Sequence, residues 1–392
     1  MITKGKRIVA LLLIFMMLPG LLSGCWDSRE IDKLFIVTGI AIDATDDPDQ
    51  VDVTMQIGKE RKGEAGLGEA QTGGSSTIVL NTVNDTIMGA IREFNRNSNR
   101  KLLLQHNPIR LFGIEVAEHG VKKHIDLFLR DQQARLEVPV AIVEGRAADV
   151  LTGTLDQDPL SGMFVAGLLE DLSKVSVELQ VRMLDFVSRL LQETVAPMMP
   201  IIAVVGEEDK KEIKTVGMGI FKGDKLVGRL DNDQSLGYIW AMGDVSQFNV
   251  KVQEGIDKAI LHVSKLKTKR EVTISDDGVV KVKLSMEGGA SIAEMEGFGN
   301  MTPQNLIPHL KDLAQEEMKQ TVTEAFQISQ GLNADMLAIS ATLEQRHPKK
   351  WEKIKDRWDE IYPTIELTVD ANLKILGTGQ IIQSLEMEEA MK

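Results

Sequence analysis

The chain has 392 residues, enough for two or three domains at roughly 150 residues each. With 43% hydrophobic and 26% charged residues it is neither fibrous, wholly disordered nor multi-spanning in a membrane. Lys and Arg number 45 against 58 Asp and Glu, and no basic run is interleaved with aromatic residues, so a phosphate backbone is repelled and nucleic acid is not an expected partner. A single cysteine, Cys25, leaves no intrachain disulfide and no paired-cysteine metal or redox motif.

At the N-terminus Lys4, Lys6 and Arg7 form a basic region ahead of an apolar stretch, Ile8 to Leu18, that is too short to span a bilayer comfortably. Leu22-Ser23-Gly24-Cys25 follows and matches the bacterial lipobox, in which small residues before a cysteine let a lipoprotein signal peptidase cut. Residues 1–24 are therefore expected to be removed. Cys25 would then carry a diacylglyceryl group and an N-acyl chain such as palmitate, and two acyl chains hold a protein stably on a membrane. The expected location is the outer face of a bacterial cytoplasmic membrane, or the spore inner membrane.

Beyond the anchor, Leu34 to Ile42 and Val51 to Ile57 read as strands joined at Asp46-Asp47-Pro48-Asp49 into a hairpin. Gly58 to Ser76, rich in glycine and small residues, reads as a mobile loop. Thr82 and Asp85 predict a capping box opening a helix with Val83, Ile87, Ile91 and Phe94 on one face. Next come a strand at Ile109 to Val116, a helix at Val121 to Asp131, a strand at Val138 to Glu144, and helices at Leu160 to Leu172 and Leu179 to Leu191. Val195 to Val205 holds Pro197 and Pro200 and reads as a buried strand with its approach loop. Lys222-Gly223-Asp224-Lys225 turns one strand into another within Thr215 to Leu230. A helix at Ser235 to Met242 precedes β-like runs Ala259 to Ile274 and Val279 to Met286, which flank Asp276-Asp277-Gly278. Thr302 to Tyr362 is mainly helical, with breaks near Gly331 and His347-Pro348, and Ile365 to Leu376 closes as a strand. The alternation means a mixed α/β or α+β fold. The expected divisions are 1–24 signal peptide, 25–205 an N-terminal α/β domain, 206–290 a middle β-rich domain, and 291–392 a helix-rich C-terminal domain.

Catalytic signatures are missing. The histidines show no HExxH spacing, and there is no GxSxG elbow and no Walker loop. Gly217-Met218-Gly219 sits in a strand-turn-strand pattern and lacks the helix a dinucleotide loop needs. Ser264 and Lys267 match SxxK inside a strand-like run without companion motifs. Asp231, Asp233 and Ser235 begin like a calcium loop, but Leu236 and Met242 occupy the turn and bidentate positions, which favours helix capping. His119 and His124 near a helix start lack a third ligand and are expected to be solvated, so no metal site is expected. Trp351, Ile354, Trp358 and Ile361 share one face of a helix placed from Pro348 to Tyr362, a stripe that either packs in a core or docks another subunit.

Directly after Cys25 stands Trp26-Asp27-Ser28-Arg29-Glu30-Ile31-Asp32, and Ile36-Val37-Thr38-Gly39-Ile40-Ala41-Ile42-Asp43 follows. Together these resemble the opening of the Ger(x)C family, the lipoprotein C subunits of bacterial spore germinant receptors. His347-Pro348, Trp351, Trp358, Pro363, a β-branched strand and Gly377 to Gly379 resemble that family's closing pattern, although Ala338 and Ser340 stand where the pattern carries glycine. The resemblance implies three mixed domains, each a sheet with flanking helices. It also implies a non-enzymatic, lipid-anchored subunit needed for the germination response to nutrients, working with the membrane A subunit and the transporter-like B subunit. It carries Cys25 over as the lipid attachment point and Trp26, Asp27, Arg29 and Glu30 as motif members, with no cofactor beyond the lipid. The alternative from the residues is a solute-binding lipoprotein of a membrane transporter; a lipid-anchored hydrolase lacks a nucleophile arrangement.

Overall fold

Two β-sheets organise the chain in the computed structural model, which describes residues 33–58, 77–105, 107–131, 134–153, 160–174, 179–206, 211–299 and 301–377. Cys25 and its neighbours, and all but the first residue of the expected 58–76 loop, lie outside the described residues. The first sheet begins with the expected hairpin, β1 (Leu34–Asp43) antiparallel to β2 (Val51–Gly58), and adds β3 (Thr77–Asn84) at its edge. On the other side of β1 come β5 (Arg110–Gly113), β6 (Val140–Val143) and β7 (Met198–Val205), all parallel. Two further strands, β8 (Glu212–Lys222) and β9 (Lys225–Leu230), extend it antiparallel, while short β4 (Lys101–Leu103) lies beside the start of β1.

The central strands are buried along their whole length because helices cover both faces. One face packs on α1 (Ile87–Arg96), α2 (Ile114–His119) and α3 (Lys122–Arg130), through Ile87, Ile91, Val116, Ile125 and Phe128. The opposite face packs on α4 (Ala148–Thr152) and α5 (Ser161–Ser173), through Val150, Leu151, Val165 and Leu169. A further helix, α6 (Met183–Leu190), joins the first face with Met183 and Phe186.

From β9 the chain enters α7 (Asn232–Met242), where Asp231 and Gln234 form a reciprocal capping box. This is the capping role expected of Asp231, and no calcium-loop geometry is needed to explain it. The second sheet then runs β10 (Val245–Glu254), β11 (Asp257–Ile274), β12 (Val280–Glu296) and β13 (Glu366–Gly377) in that order, antiparallel except for the parallel β12–β13 pair. Its strands alternate buried and exposed residues, so one face packs and the other is solvated. Across the packed face lies α8 (Pro303–Gly331), whose Leu306, Leu310, Ala314, Met318 and Val322 recur every fourth residue as a buried stripe. The helices α9 (Ile339–Arg346), α10 (Pro348–Ile354) and α11 (Trp358–Ile361) complete that layer, with a 3-10 turn, Lys355–Arg357, between the last two.

The fold is thus mixed α+β, with sheets flanked by helices, and one local expectation is corrected. Thr82 and Val83 belong to β3; the helix starts later, with Thr86 as its cap accepting from the Gly89 N–H. Its apparent periodicity ran through a strand that pairing with β2 holds extended. The division expected near 205 passes between β7 and β8, which pair along their length in one sheet. The division expected near 290 falls inside β12, where Ala290 is paired on both sides.

Candidate functional site

The family-like opening strand turns out to be where helices are fastened to the first sheet. Gly39 lies under α5: the helix crosses so closely that a side chain on Gly162 would strike the Thr38 carbonyl, and one on Gly39 would strike Leu151. Beside this crossing the buried Gln56 amide is fully satisfied. Its Nε2 donates to the Leu151 carbonyl at 3.1 Å and to Ser161 Oγ at 2.8 Å, and its Oε1 accepts from Thr38 Oγ1 at 3.1 Å and the Gly162 N–H at 3.0 Å. At the far end of β1 the Asp43 carboxylate accepts from the N–H groups of Ala147 and Ala148, at 2.7 and 2.8 Å, and so caps α4. Burial raises the Asp43 pKa against the pull of those N–H groups and of Arg146. Arg146 in turn pairs with Asp52 at 2.7 Å.

A second buried carboxylate fastens the C-terminal layer to the first sheet. Asp335 accepts from the N–H groups of Ile339 and Ser340, at 2.9 and 2.8 Å, and from Ser340 Oγ at 2.7 Å. Its own carbonyl accepts from the Ala196 N–H at 3.0 Å, tying the loop after α8 to the approach of β7. Arg189 of α6 reaches across to Tyr238 Oη at 2.7 Å and to the Met336 carbonyl. Burial raises the Asp335 pKa and, with the Asp335 charge as a second cause, pushes Tyr362 well above its ordinary value; Tyr362 shares a hydrogen bond with Ser329. Ala338, one of the two departures from the family pattern, has φ +53°, a left-handed conformation in which glycine is the unstrained residue. Ser340, the other departure, supplies two of the three donors to Asp335.

The tryptophan stripe joins this layer. Trp351, Ile354 and Trp358 are buried and Ile361 is partly buried against the same core. The Trp351 and Trp358 rings meet edge to face at 5.1 Å, and Trp358 stands 5.8 Å from Tyr362. The 3-10 turn breaks the single helix expected from Pro348 to Tyr362.

A cleft of about 880 Å³ opens where the β1–β2 turn, the α2–α3 junction and the β8–β9 turn meet. His119 and His124 both line it, with Asp46, Lys122, Lys123 and Asp224. Asp224 holds the start of α3: its carbonyl accepts from the Val121 N–H at 2.9 Å and its carboxylate from the Lys122 N–H at 3.2 Å. His124 is not the solvated side chain expected from sequence. It is buried, and burial with the nearby Lys123 charge lowers its pKa to about 4, so the imidazole is neutral at pH 7. Among the described residues there is no group of three or more His, Cys, Asp or Glu placed to hold a metal ion, and no helix long and apolar enough to cross a membrane. Ser264 and Lys267 flank a bulge in β11, and Gly217 and Gly219 lie within β8. Sequence reasoning missed Gln56, Asp335 and Arg189: Gln56 and Arg189 find most of their partners on distant elements, and Asp335 caps a helix that starts from a left-handed alanine rather than from a recognisable capping box.

The comparisons with known proteins cover nearly the whole chain. The family model described as "Spore germination protein N-terminal domain" matches residues 27–204, and that described as "Spore germination B3/ GerAC like, C-terminal" matches residues 216–379. Spore germination protein KC of Bacillus subtilis is 23% identical over 407 residues, covering 97% of each chain. Spore germination protein B3 of the same organism is 23% identical over 381 residues, covering 94% of this chain and 97% of its own. Among solved structures, "Crystal Structure of the GerBC protein" matches with a TM-score of 0.57 at 21% identity, over 86% of this chain and 97% of that one, a likeness of fold. The β1 fastening residues fall within the first matched span and the Asp335 layer within the second, and on these matches the chain belongs to the Ger(x)C family of spore germination proteins.

Proposed function

We propose that this chain is the lipid-anchored, non-enzymatic C subunit of a spore nutrient germinant receptor, needed for the germination response. The observation that carries the reading is the joined signal at the N-terminus: a lipobox ending at Cys25, the Trp26-Asp27-Ser28-Arg29-Glu30 run directly after it, and β1 beginning at Leu34. Relatives named as spore germination proteins along nearly the full length support it. In this reading Cys25 carries the diacylglyceryl and N-acyl groups and holds the protein on the outer face of the spore inner membrane. There it meets the A subunit and the transporter-like B subunit. The buried polar groups described above serve architecture: each is consumed by capping a helix or joining layers, which fits a subunit that transmits contacts.

The test is Cys25→Ala in sporulating cells. The reading expects loss of acyl labelling, release of the protein from membranes in a strain lacking the A and B subunits, and a defective response to nutrient germinants. Membrane attachment in that strain, or a normal response in spores that keep the A and B subunits, with no label at Cys25, would overturn it.

A further inference from the structure

The chain is acidic overall, yet the end of the first sheet where it enters from the anchor is basic. Arg92 and Arg96 stand one turn apart on the exposed side of α1, and Arg100 and Lys101 follow in the turn and at the start of β4. These four are held together. The Leu102 N–H donates to Asn95 Oδ1 at 2.9 Å, which ties β4 to the last turn of α1. Lys101 is the register partner of Leu34, the first residue of β1, and the Arg100 guanidinium lies 5.4 Å from the Phe35 ring. None of the four forms an ion pair with another described residue, and Glu93, the acid on the same helix, is turned to Thr82 and Asn84. Other exposed cations do find partners, as Lys281 does with Glu366 and Lys283 with Asp370 on the second sheet.

Position gives this cluster its occupant. Residues 26–33 separate Cys25 from β1, and a chain of that length reaches at most about 30 Å. We infer that Arg92, Arg96, Arg100 and Lys101 form a docking surface for an anionic lipid bilayer, which turns the β4 and α1 end of the first sheet towards the membrane. The inference rests on the lipid-anchor reading. Two acyl chains already supply the affinity, so the contribution of the cations is orientation: they limit how the body tumbles above the surface and present the other edge of the sheet and the second sheet to partners. A competing source of charge lies in the connecting segment itself, where Asp27, Glu30 and Asp32 outnumber Arg29 and Lys33.

The test removes the acyl chains so that the patch is measured alone. The mature chain carrying Cys25→Ala is titrated with vesicles of phosphatidylcholine, with and without one part in three of phosphatidylglycerol, at low and at physiological salt. Binding is expected only to the anionic vesicles, falling as salt rises. Each cation near such a surface is worth about a fivefold change in affinity, so Arg96→Gln with Lys101→Gln is expected to weaken binding about thirtyfold. The control pair Lys251→Gln with Lys267→Gln, exposed on the second sheet, is expected to change it less than twofold. Equal losses in both pairs, no preference for anionic vesicles, or binding that emerges only after Asp27, Glu30 and Asp32 are neutralised would overturn the inference. So would unchanged vesicle binding accompanied by loss of a receptor subunit, which would mark the patch as a protein contact. Acyl labelling of Cys25 is read separately, so the anchor and the patch can fail independently.

Discussion

The two sheets solve the problem of register by different means. In the second sheet, buried and exposed residues alternate along β10 and β12, so a slip of one residue would turn the whole apolar set into water, and the pattern itself enforces the pairing. In the first sheet β5 and β6 are buried along their whole length, and apart from Arg110 and Gly113 they carry only apolar side chains, so a slip there would still bury mostly hydrophobic side chains. What sets position in that sheet is a small group of buried polar side chains with specific partners: Gln56 with Thr38, Leu151, Ser161 and Gly162, and Asp43 with the start of α4. Such groups are costly when left unpaired, so they enforce one arrangement where hydrophobicity alone is permissive. The junction between the sheets follows the second rule, with Asp335 and Arg189 in that role.

The largest expected effect comes from breaking the apolar side of this comparison. Trp358→Ala removes a buried ring from the core that also contains Met198, Ile220 and Leu230 of the first sheet, and should cost about 3 to 5 kcal/mol. Because that core is continuous, calorimetry should show one transition moved downward; two separated transitions would mean the sheets unfold independently. Asp335→Ala strands three donors, two N–H groups and the Ser340 hydroxyl, and should cost about 3 kcal/mol in denaturant unfolding. A loss below about 1 kcal/mol would show that water replaces the carboxylate and that the junction is not fixed by it.

His124 sharpens the comparison through pH. Its folded pKa is lowered from 6.5 to about 4, so the unfolded chain binds the proton more tightly. Stability is therefore fully present above the unfolded value and is lost as pH falls from 6.5 through about 4, by about 3 kcal/mol in all. Melting curves of His124→Gln between pH 4 and 7 should lack that component; an unchanged slope would place the acid sensitivity elsewhere. The smallest change is expected at Asp43→Ala, about 2 kcal/mol for two N–H groups left unpaired at the start of α4. For both buried carboxyl groups burial raises the folded pKa, so their own titration opposes the histidine: it favours the fold at low pH and fades as pH rises through the folded values.

The second sheet was the more legible in sequence, because alternation in β11 and β12 and the turn at Asp276-Asp277-Gly278 are local signals. Even so, β10 is not among the strands the sequence predicts, and the division expected near 290 lies inside β12, since nothing local marks where a strand of seventeen residues ends. In the first sheet the strands were visible as apolar runs but their order was not. That β8 and β9 continue this sheet depends on pairing with β7, and pairing across loops leaves no periodic trace in the sequence. The opening motif was readable as a family likeness before its physics was: Gly39 is needed for the approach of α5 and Asp43 for the cap of α4. Ala338 shows the converse, a left-handed position that an expected glycine pointed to and an alanine fills.

The central claim is that the chain works as a subunit of a membrane receptor, and affinity purification of the tagged, lipidated protein from detergent-solubilised spore inner membranes tests it most directly. The account predicts co-purification with a transporter-like polytopic protein and an A-type subunit in a fixed ratio, lost on solubilising conditions that separate the complex. Recovery with an ATP-driven permease instead, or alone under the mildest detergent, would contradict it.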